Sequence, residues 1–390
     1  MGENLDQFLV DHKEKITSAV EVLQQGCEIL SSVVGDIFPI IGMVAPFVSL
    51  ALESVESEET KYVKQQLHTV QQSLNAIAGH LEDINNEITK SLMDIKYFKV
   101  ERNIKFLFGK LMDITNAKSV SSRQKDKFIS AYEYQPTEYD LDKLYDAVTQ
   151  NESILKTIMD YSKKHRKVVE KYFTGILQLF YYGIIVSVAY KTIKGEQYAK
   201  FQDEWRDKLT EVQNKMVSLI NECINGFMLQ AREDVEQMLP KGNDGKEDVT
   251  KEIFDFLKAK YDWVQWCVHS YKASDHSNSC FFSLFFKETD YHYVIGNNVL
   301  QFFEGDNPTL VISYSSEKKP IDKANLHQLM ESQNKGRGAK SVVEYFQSNM
   351  PGHVVHAIKL SKGVQNFSSF SEDCCFCGEW KQLYLSIHVD

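Results

Sequence analysis

VVGDIFPIIGMVAPFVSLAL, Val33 to Leu52, decides how the first part of this chain is built. Asp36 is its only charged residue, so the run is long enough to cross a bilayer and apolar enough to fill the centre of a helical core. Pro39 and Pro46 each remove a helical hydrogen bond and press a ring against the preceding turn, which predicts a bent or broken helix rather than one straight crossing. Two readings follow. In one, the run is a buried helix pair that never leaves the core. In the other it is a concealed membrane-contacting element, with Asp36 near one end, away from the helix centre where an acid costs roughly 3 kcal/mol.

Outward from this run, apolar residues recur at Val63, Leu67, Val70, Leu74, Ile77, Leu81, Ile84, Ile88, Leu92 and Ile95 among Gln, Asn, Glu and Lys. Steps of four and three, with Leu92 the one departure, form a heptad seam and predict a helix of about 50 Å. The seam suits a partner helix of the same chain or of a second copy, and spacing leaves both open. Upstream, Leu5 to Ser31 carries a helical stripe of Phe8, Ile16, Val20, Leu23, Cys27 and Leu30. Downstream, helix is expected over Asn103 to Ile114, Tyr139 to Lys171 and Phe201 to Leu239, with a break at Ser119 to Arg123. A second apolar block, GILQLFYYGIIVSVAY (Gly175 to Tyr190), follows the basic residues Lys163, Lys164, Arg166 and Lys167. That flank fits a membrane interface, and it equally fits the solvated turn before a central bundle helix.

Pro240 to Lys246, PKGNDGK, collects the residues that break helices and favour turns. It predicts a helical unit over 1–239, a linker over 240–249 and a second domain over 250–390. The second domain is rich in aromatic and β-branched residues, with candidate strands at Trp263–His269, Cys280–Phe286, Tyr291–Ile295, Val299–Phe303, Leu310–Tyr314, Val354–Leu360 and Leu383–Val389. Helices are expected at Thr250–Lys260 and Lys340–Ser348, making this an α+β module. The fold class expected is mainly α: an elongated N-terminal helical bundle with a long heptad helix, followed by the smaller α+β domain.

The chain has 390 residues, 43% of them apolar, and 54 acids against 44 bases, a formal charge of −10. It can bury large cores, and the charge disfavours general attraction to nucleic acid or to an anionic leaflet, so any such binding would have to be local. The start, MGENLDQFLVDHKEK, lacks the basic segment and apolar core of a secretory signal, so the expected location is cytoplasmic or non-classically secreted. Seven cysteines spread over this length predict reduced thiols. Cys374, Cys375 and Cys377 hold one C-x-x-C pair without a second, so no metal is expected there. His269, His276, His292, His353 and His356 look scattered, with His353 and His356 on opposite faces of a strand. Gly336, Arg337 and Gly338 match no phosphate-binding spacing, and no hydrolase motif is present. No catalytic residue and no cofactor are expected.

The segment LFYYGIIVSVAY, followed by Trp205, Asp207-Lys208-Leu209 and Val212-Gln213-Asn214-Lys215-Met216, resembles the rapunzel family, to which cephalotoxin-like proteins are similar. Ile37 to Val44 and Tyr261 to Val268 look like further landmarks of it, and the likeness spans about residues 1 to 300. The resemblance implies a helical N-terminal unit with a smaller C-terminal domain, no enzymatic role, and a link to toxin-like proteins.

Taken together, these features support a non-enzymatic, membrane-active protein of the helical pore-forming type. Its membrane-contact candidates are Ile37, Phe38, Pro39, Ile40, Ile41, Met43, Val44, Phe47 and Val48. Expected partners are membrane lipid or a membrane receptor and further copies of the chain, with the C-terminal domain as the receptor- or ligand-binding module. The alternative is a soluble interaction or scaffold protein of the rapunzel type, whose apolar segments are permanent core. What covers Val33 to Leu52 discriminates the two.

Overall fold

The computed structural model describes residues 5–25, 33–53, 55, 57–72, 96–115, 122–150, 153–239, 249–271, 291–304, 307–333 and 338–390. It is mainly α, with a C-terminal α+β part. The chain divides into two compact units, Met1–Asn225 and Gly226–Asp390.

The first unit is a helical bundle of α1 (Leu5–Gln25), α2 (Val33–Leu52), α3 (described over 58–72), α4 (Lys96–Thr115), α5 (Ser122–Tyr134), α6 (Thr137–Thr149), α7 (Ile154–Tyr161), α8 (Arg166–Lys194) and α9 (Ala199–Asn225). At its centre lies α8, buried continuously from Phe173 to Ala189. Among the described residues it is the one helix long and apolar enough to cross a membrane, yet 94% of its most apolar window is buried in protein. A helix apolar on all sides must be enclosed, and α2, α4, α6, α7 and α9 all pack against it. It stops at Gly195, whose left-handed backbone (φ 72°) lets its N–H reach Lys191 and Thr192 carbonyls.

The expected break in Val33–Leu52 is absent: α2 is assigned as one helix through both prolines. Gly35 stands four residues before Pro39 and Gly42 four before Pro46, so the carbonyl facing each proline ring belongs to the residue whose backbone yields most easily. Two other expected helices are interrupted. Tyr139–Lys171 is divided among α6, α7 and the start of α8, with Lys163 and Lys164 at φ 48° and 56° in the tight turn before α8. Phe201–Leu239 is cut at Gly226. Along the heptad seam Val63, Leu67 and Val70 are buried, and 73–95 lies outside the described residues.

The second unit begins with α10 (Phe227–Met238), ahead of the expected linker, of which 240–248 lies outside the described residues. This helix packs against α11 (Val249–Lys260), and Phe227, Ala231 and Val235 share a core with Trp266 and Tyr314. A buried polar contact fixes the pair: Lys260 Nζ lies 2.5 Å from Asp234 Oδ2, which also accepts from Tyr261 at 2.7 Å. Among the described residues eight antiparallel strands follow, β1 (Gln265–Ser270), β2 (His292–Ile295), β3 (Val299–Glu304), β4 (Asn307–Ser315), β5 (His353–Lys359), β6 (Gln365–Ser368), β7 (Cys375–Trp380) and β8 (Leu383–Val389), with α12 (Lys323–Ser332) and α13 (Ala339–Asn349) between β4 and β5. They form two four-stranded sheets, ordered β3-β4-β1-β6 and β2-β5-β8-β7. Trp266 and Val268 of the first sheet join the core with α10 and α11, while Val355, Ala357, Leu385 and Ile387 of the second join Val342, Val343 and Phe346 of α13. The expected strand Cys280–Phe286 lies outside the described residues. The sequence patterns missed α12, β6 and β7.

Two substitutions test this packing. Replacing Asp234 with Ala leaves the Lys260 ammonium buried without its carboxylate, and urea unfolding should show the second unit weakened by about 3–5 kcal/mol. At Gly183, a Cβ would stand 2.6 Å from Leu141 Cδ2, so Gly183→Ala should overpack the α6–α8 contact and destabilise the first unit by about 1–3 kcal/mol in the same assay.

Candidate functional sites

The two apolar helices of the bundle are held by different forces. Buried hydrogen bonds tie α8 to its neighbours. Thr137 of α6 donates to the Gly183 carbonyl at 3.3 Å, Thr137 and Ser187 hydroxyls meet at 2.6 Å, and Tyr132 of α5 donates to Ser187 at 3.1 Å. With one proton per hydroxyl, these contacts order into a relay from Tyr132 through Ser187 and Thr137 to the backbone. Tyr182 donates to the Val70 carbonyl of α3 at 2.6 Å. Pulling α8 out would strand each of these groups in a dry core, at about 1–3 kcal/mol apiece.

By contrast, α2 is held by apolar contact. Ile40, Ile41, Met43, Val44, Phe47 and Val48 are at most 1% exposed, and the helix packs on α1, α4, α8 and α9. Ile37, Phe38 and Pro39 lie in the same helix, and their side chains lie outside the described residues. Over residues 40–52 the only side-chain hydrogen bond is that of Ser49 to its own helix, at the Ala45 carbonyl. On the α1 side the fit is close: a Cβ at Gly42 would stand 2.8 Å from Phe8 Cζ.

The basic flank before α8 is engaged with carboxylates of the bundle. Lys164 meets Glu222 of α9 at 3.1 Å, and Arg166 lies 3.8 Å from Glu170, while Lys163 and Lys167 also have interaction partners.

In the second unit, the two sheets face one another across a layer that is unexpectedly polar. Strand alternation turns Cys267 and His269 of β1 away from the helix-side core, and it turns His356 of β5 and Ser386 and His388 of β8 to meet them. Cys267 Sγ lies 3.1 Å from His269 Nε2 and 3.8 Å from Cys377 Sγ. The His356 ring stands between His269 and His292, at centroid distances of 4.9 and 4.8 Å. His269, His356 and His388 are no more than 1% exposed, and His292 is buried too. Among the described residues, both ring nitrogens of His356, Nδ1 of His269 and Nε2 of His292 have no hydrogen-bond partner, whereas His388 bonds Ser313 Oγ at 2.8 Å. Three of the histidines that look scattered in sequence, His269, His292 and His356, are therefore brought together, whereas His353 meets the Pro351 carbonyl at the surface and His276 lies outside the described residues. Among the described residues no group of three or more His, Cys, Asp or Glu side chains is placed to hold a metal ion. The overlooked signal was a polar residue at every second position of otherwise apolar strands, as in Cys267-Val268-His269 and Ser386-Ile387-His388.

Burial keeps these imidazoles neutral. It lowers His269 to about 3 and His292 and His388 to about 4, and it holds His356 well below its ordinary value, with the neighbouring histidines adding to the effect at His292, His356 and His388. Cys377 is pushed up by its contact with Cys267 and by burial, so its thiol stays protonated.

These arrangements define a helical-bundle protein with an enclosed apolar centre, joined to an α+β module built on two facing sheets. Residues 53–245 match the family described as the cephalotoxin-like middle helical domain. Over 224 residues the chain is 26% identical to Protein rapunzel of Danio rerio, a match covering 56% of this chain and 99% of that protein. Both matches support the rapunzel and cephalotoxin-like family for this chain. Neither name denotes an enzyme. The matched domain begins at Glu53, so α1 and α2 precede it. No solved structure matches the chain.

The histidine layer predicts acid sensitivity. An unfolded imidazole takes up a proton near pH 6.5, and these folded ones resist it until about pH 4 or below. Their stabilising contribution is thus complete above pH 6.5 and is lost as pH falls towards 4, at about 1.4 kcal/mol per pH unit for each group. Near-UV circular dichroism of the aromatic-rich second unit should show a urea midpoint steady from pH 8 to 7 and falling steeply below about 6.5. A midpoint that stays level down to pH 5 would contradict the assignment of neutral buried histidines.

Proposed function

We propose that this chain is a non-enzymatic, membrane-active protein in which α2 is the lipid-contacting element and α8 the fixed core. The observation that carries the reading is the contrast between the two helices. Both are apolar and enclosed, but α8 is hydrogen-bonded to α3, α5 and α6, while α2 over residues 40–52 is held without a side-chain hydrogen bond to any other element. A membrane supplies apolar contact and no hydrogen bonds. It can therefore replace what holds α2 and cannot replace what holds α8.

Magnitudes make lipid a requirement. Exposing six buried side chains from Ile40 to Val48 to water would cost roughly 10–15 kcal/mol, comparable to the whole stability of a domain. In lipid that surface stays out of water, and the helix keeps its backbone hydrogen bonds. Oligomerisation on the membrane would then bury the faces that α2 uncovers in the bundle. The full burial of Ile41, Met43, Val44 and Phe47 favours a second reading, an interaction or scaffold protein with α2 as permanent core.

Dye release from vesicles separates the two. The membrane-active reading expects leakage, and it expects Gly42→Leu to accelerate leakage several-fold, because the new side chain displaces Phe8 and loosens α1 from α2. Absence of leakage by both proteins across neutral and anionic lipids between pH 5 and 7.5 would leave the scaffold reading.

A further inference from the structure

Two grooves on the surface of the first unit, both lined by described residues, differ in charge. One is lined by Asp6, Asp11, Glu14, Glu58 and Glu59, with Lys13 and Lys15 as its cations. The other, of about 580 Å³, runs between α4 and α5 and is lined by Lys99, Arg102, Asn103, Phe106, Ala131, Tyr134 and Gln135, with no acid on its wall. In a chain of formal charge −10, a groove whose only charges are cations stands out.

Its composition is specific in a second way. Phe106 is 53% exposed and Tyr134 91%, and both rings flank Lys99 and Arg102, which make no ion pair among the described residues. Exposed aromatic rings beside unpaired cations are the chemistry of a bilayer interface: the rings lie at headgroup depth and the cations meet lipid phosphates. The floor is rigid. Asn103 donates to the Gln135 carbonyl at 3.1 Å and to Asp140 Oδ2 at 2.5 Å, and Asp140 is 1% exposed, so α4, α5 and the first turn of α6 are pinned together beneath the groove. The groove is therefore built on α4, which packs against α8, and on α5, which packs against α4.

We infer that the α4–α5 groove is the seat for anionic lipid headgroups, holding the fixed part of the bundle against a bilayer while α2 exchanges protein for lipid contact. This rests on the membrane-active reading and names the surface through which it begins. The occupant is a phospholipid bilayer carrying net negative charge, because a surface-borne row of phosphates engages both cations while the hydrocarbon border takes Phe106 and Tyr134. A soluble phosphate offers the rings nothing.

Sedimentation of the full chain with vesicles tests the inference, using phosphatidylcholine alone or mixed with phosphatidylserine. Binding should require phosphatidylserine and weaken as salt is raised. Lys99→Glu combined with Arg102→Glu should lower affinity for the mixed vesicles about 10- to 100-fold, with an unchanged melting temperature, since both side chains are exposed. Phe106→Ser with Tyr134→Ser should weaken binding several-fold and leave the dependence on phosphatidylserine in place. Equal binding to both vesicle types would overturn the seat, as would charge reversal that changes affinity less than twofold, or release of bound protein by millimolar inorganic phosphate. The two proposals fail separately. Wild-type leakage with binding indifferent to charge reversal removes the seat alone, whereas charge-dependent binding without leakage removes the role of α2 alone.

Discussion

Enclosing α8 is the constraint on which the first unit depends. A 29-residue helix with an unbroken buried stretch from Phe173 to Ala189 has no side it can give to water, so the bundle must supply a wall on each. The walls are chosen by shape as well as by hydrophobicity. Gly183 leaves just the room that Leu141 fills, and Thr137, Ser187 and Tyr132 close a hydrogen-bonded chain inside an otherwise apolar interior. Once these are set, α5 and α6 have little freedom. The stripe Trp205, Leu209, Val212 and Met216 then gives α9 an apolar face for the same core.

Beside this fixed centre, α2 is a different kind of component. Its apolar character is as high, but its contacts carry little directional information, because dispersion and burial do not distinguish a protein neighbour from an acyl chain. A soluble protein keeps such a helix in place by leaving it nowhere better to go. In the proposed reading, lipid is therefore the variable that decides where α2 resides. The same logic separates the histidine layer of the second unit. Burial keeps His269, His292 and His356 neutral, so the integrity of that layer depends on proton concentration.

Much of the architecture is legible in the sequence where a period is unambiguous. The stripe of α9, the apolar runs that became α2 and α8, and the alternation of Leu383, Leu385 and Ile387 in β8 all read directly. The failures have physical causes. The prolines of α2 predicted a break, and glycines four residues earlier made each tolerable. The stretch Tyr139–Lys171 keeps helical spacing across two turns, because periodicity reports a shared buried face and is blind to a chain that leaves a helix and re-enters it. The polar residues of β8, Ser386 and His388, would face solvent in a sheet covered on one side, whereas a second sheet covers them here. Which histidines and cysteines meet depended on that sheet-to-sheet pairing, which no local pattern encodes. The α4–α5 groove was equally invisible, since Lys99, Arg102, Phe106 and Tyr134 converge only after two helices pack.

The account stands on α2 exchanging protein for lipid while α8 stays enclosed. A polarity-sensitive fluorophore placed at Ser49, an exposed position of α2, and another at Lys171, an exposed position of α8, report this directly in the presence of vesicles containing brominated lipid. The account predicts a blue shift and strong quenching at Ser49 with little change at Lys171. Equal quenching at both positions, or none at Ser49 under conditions where the protein sediments with the vesicles, would contradict it.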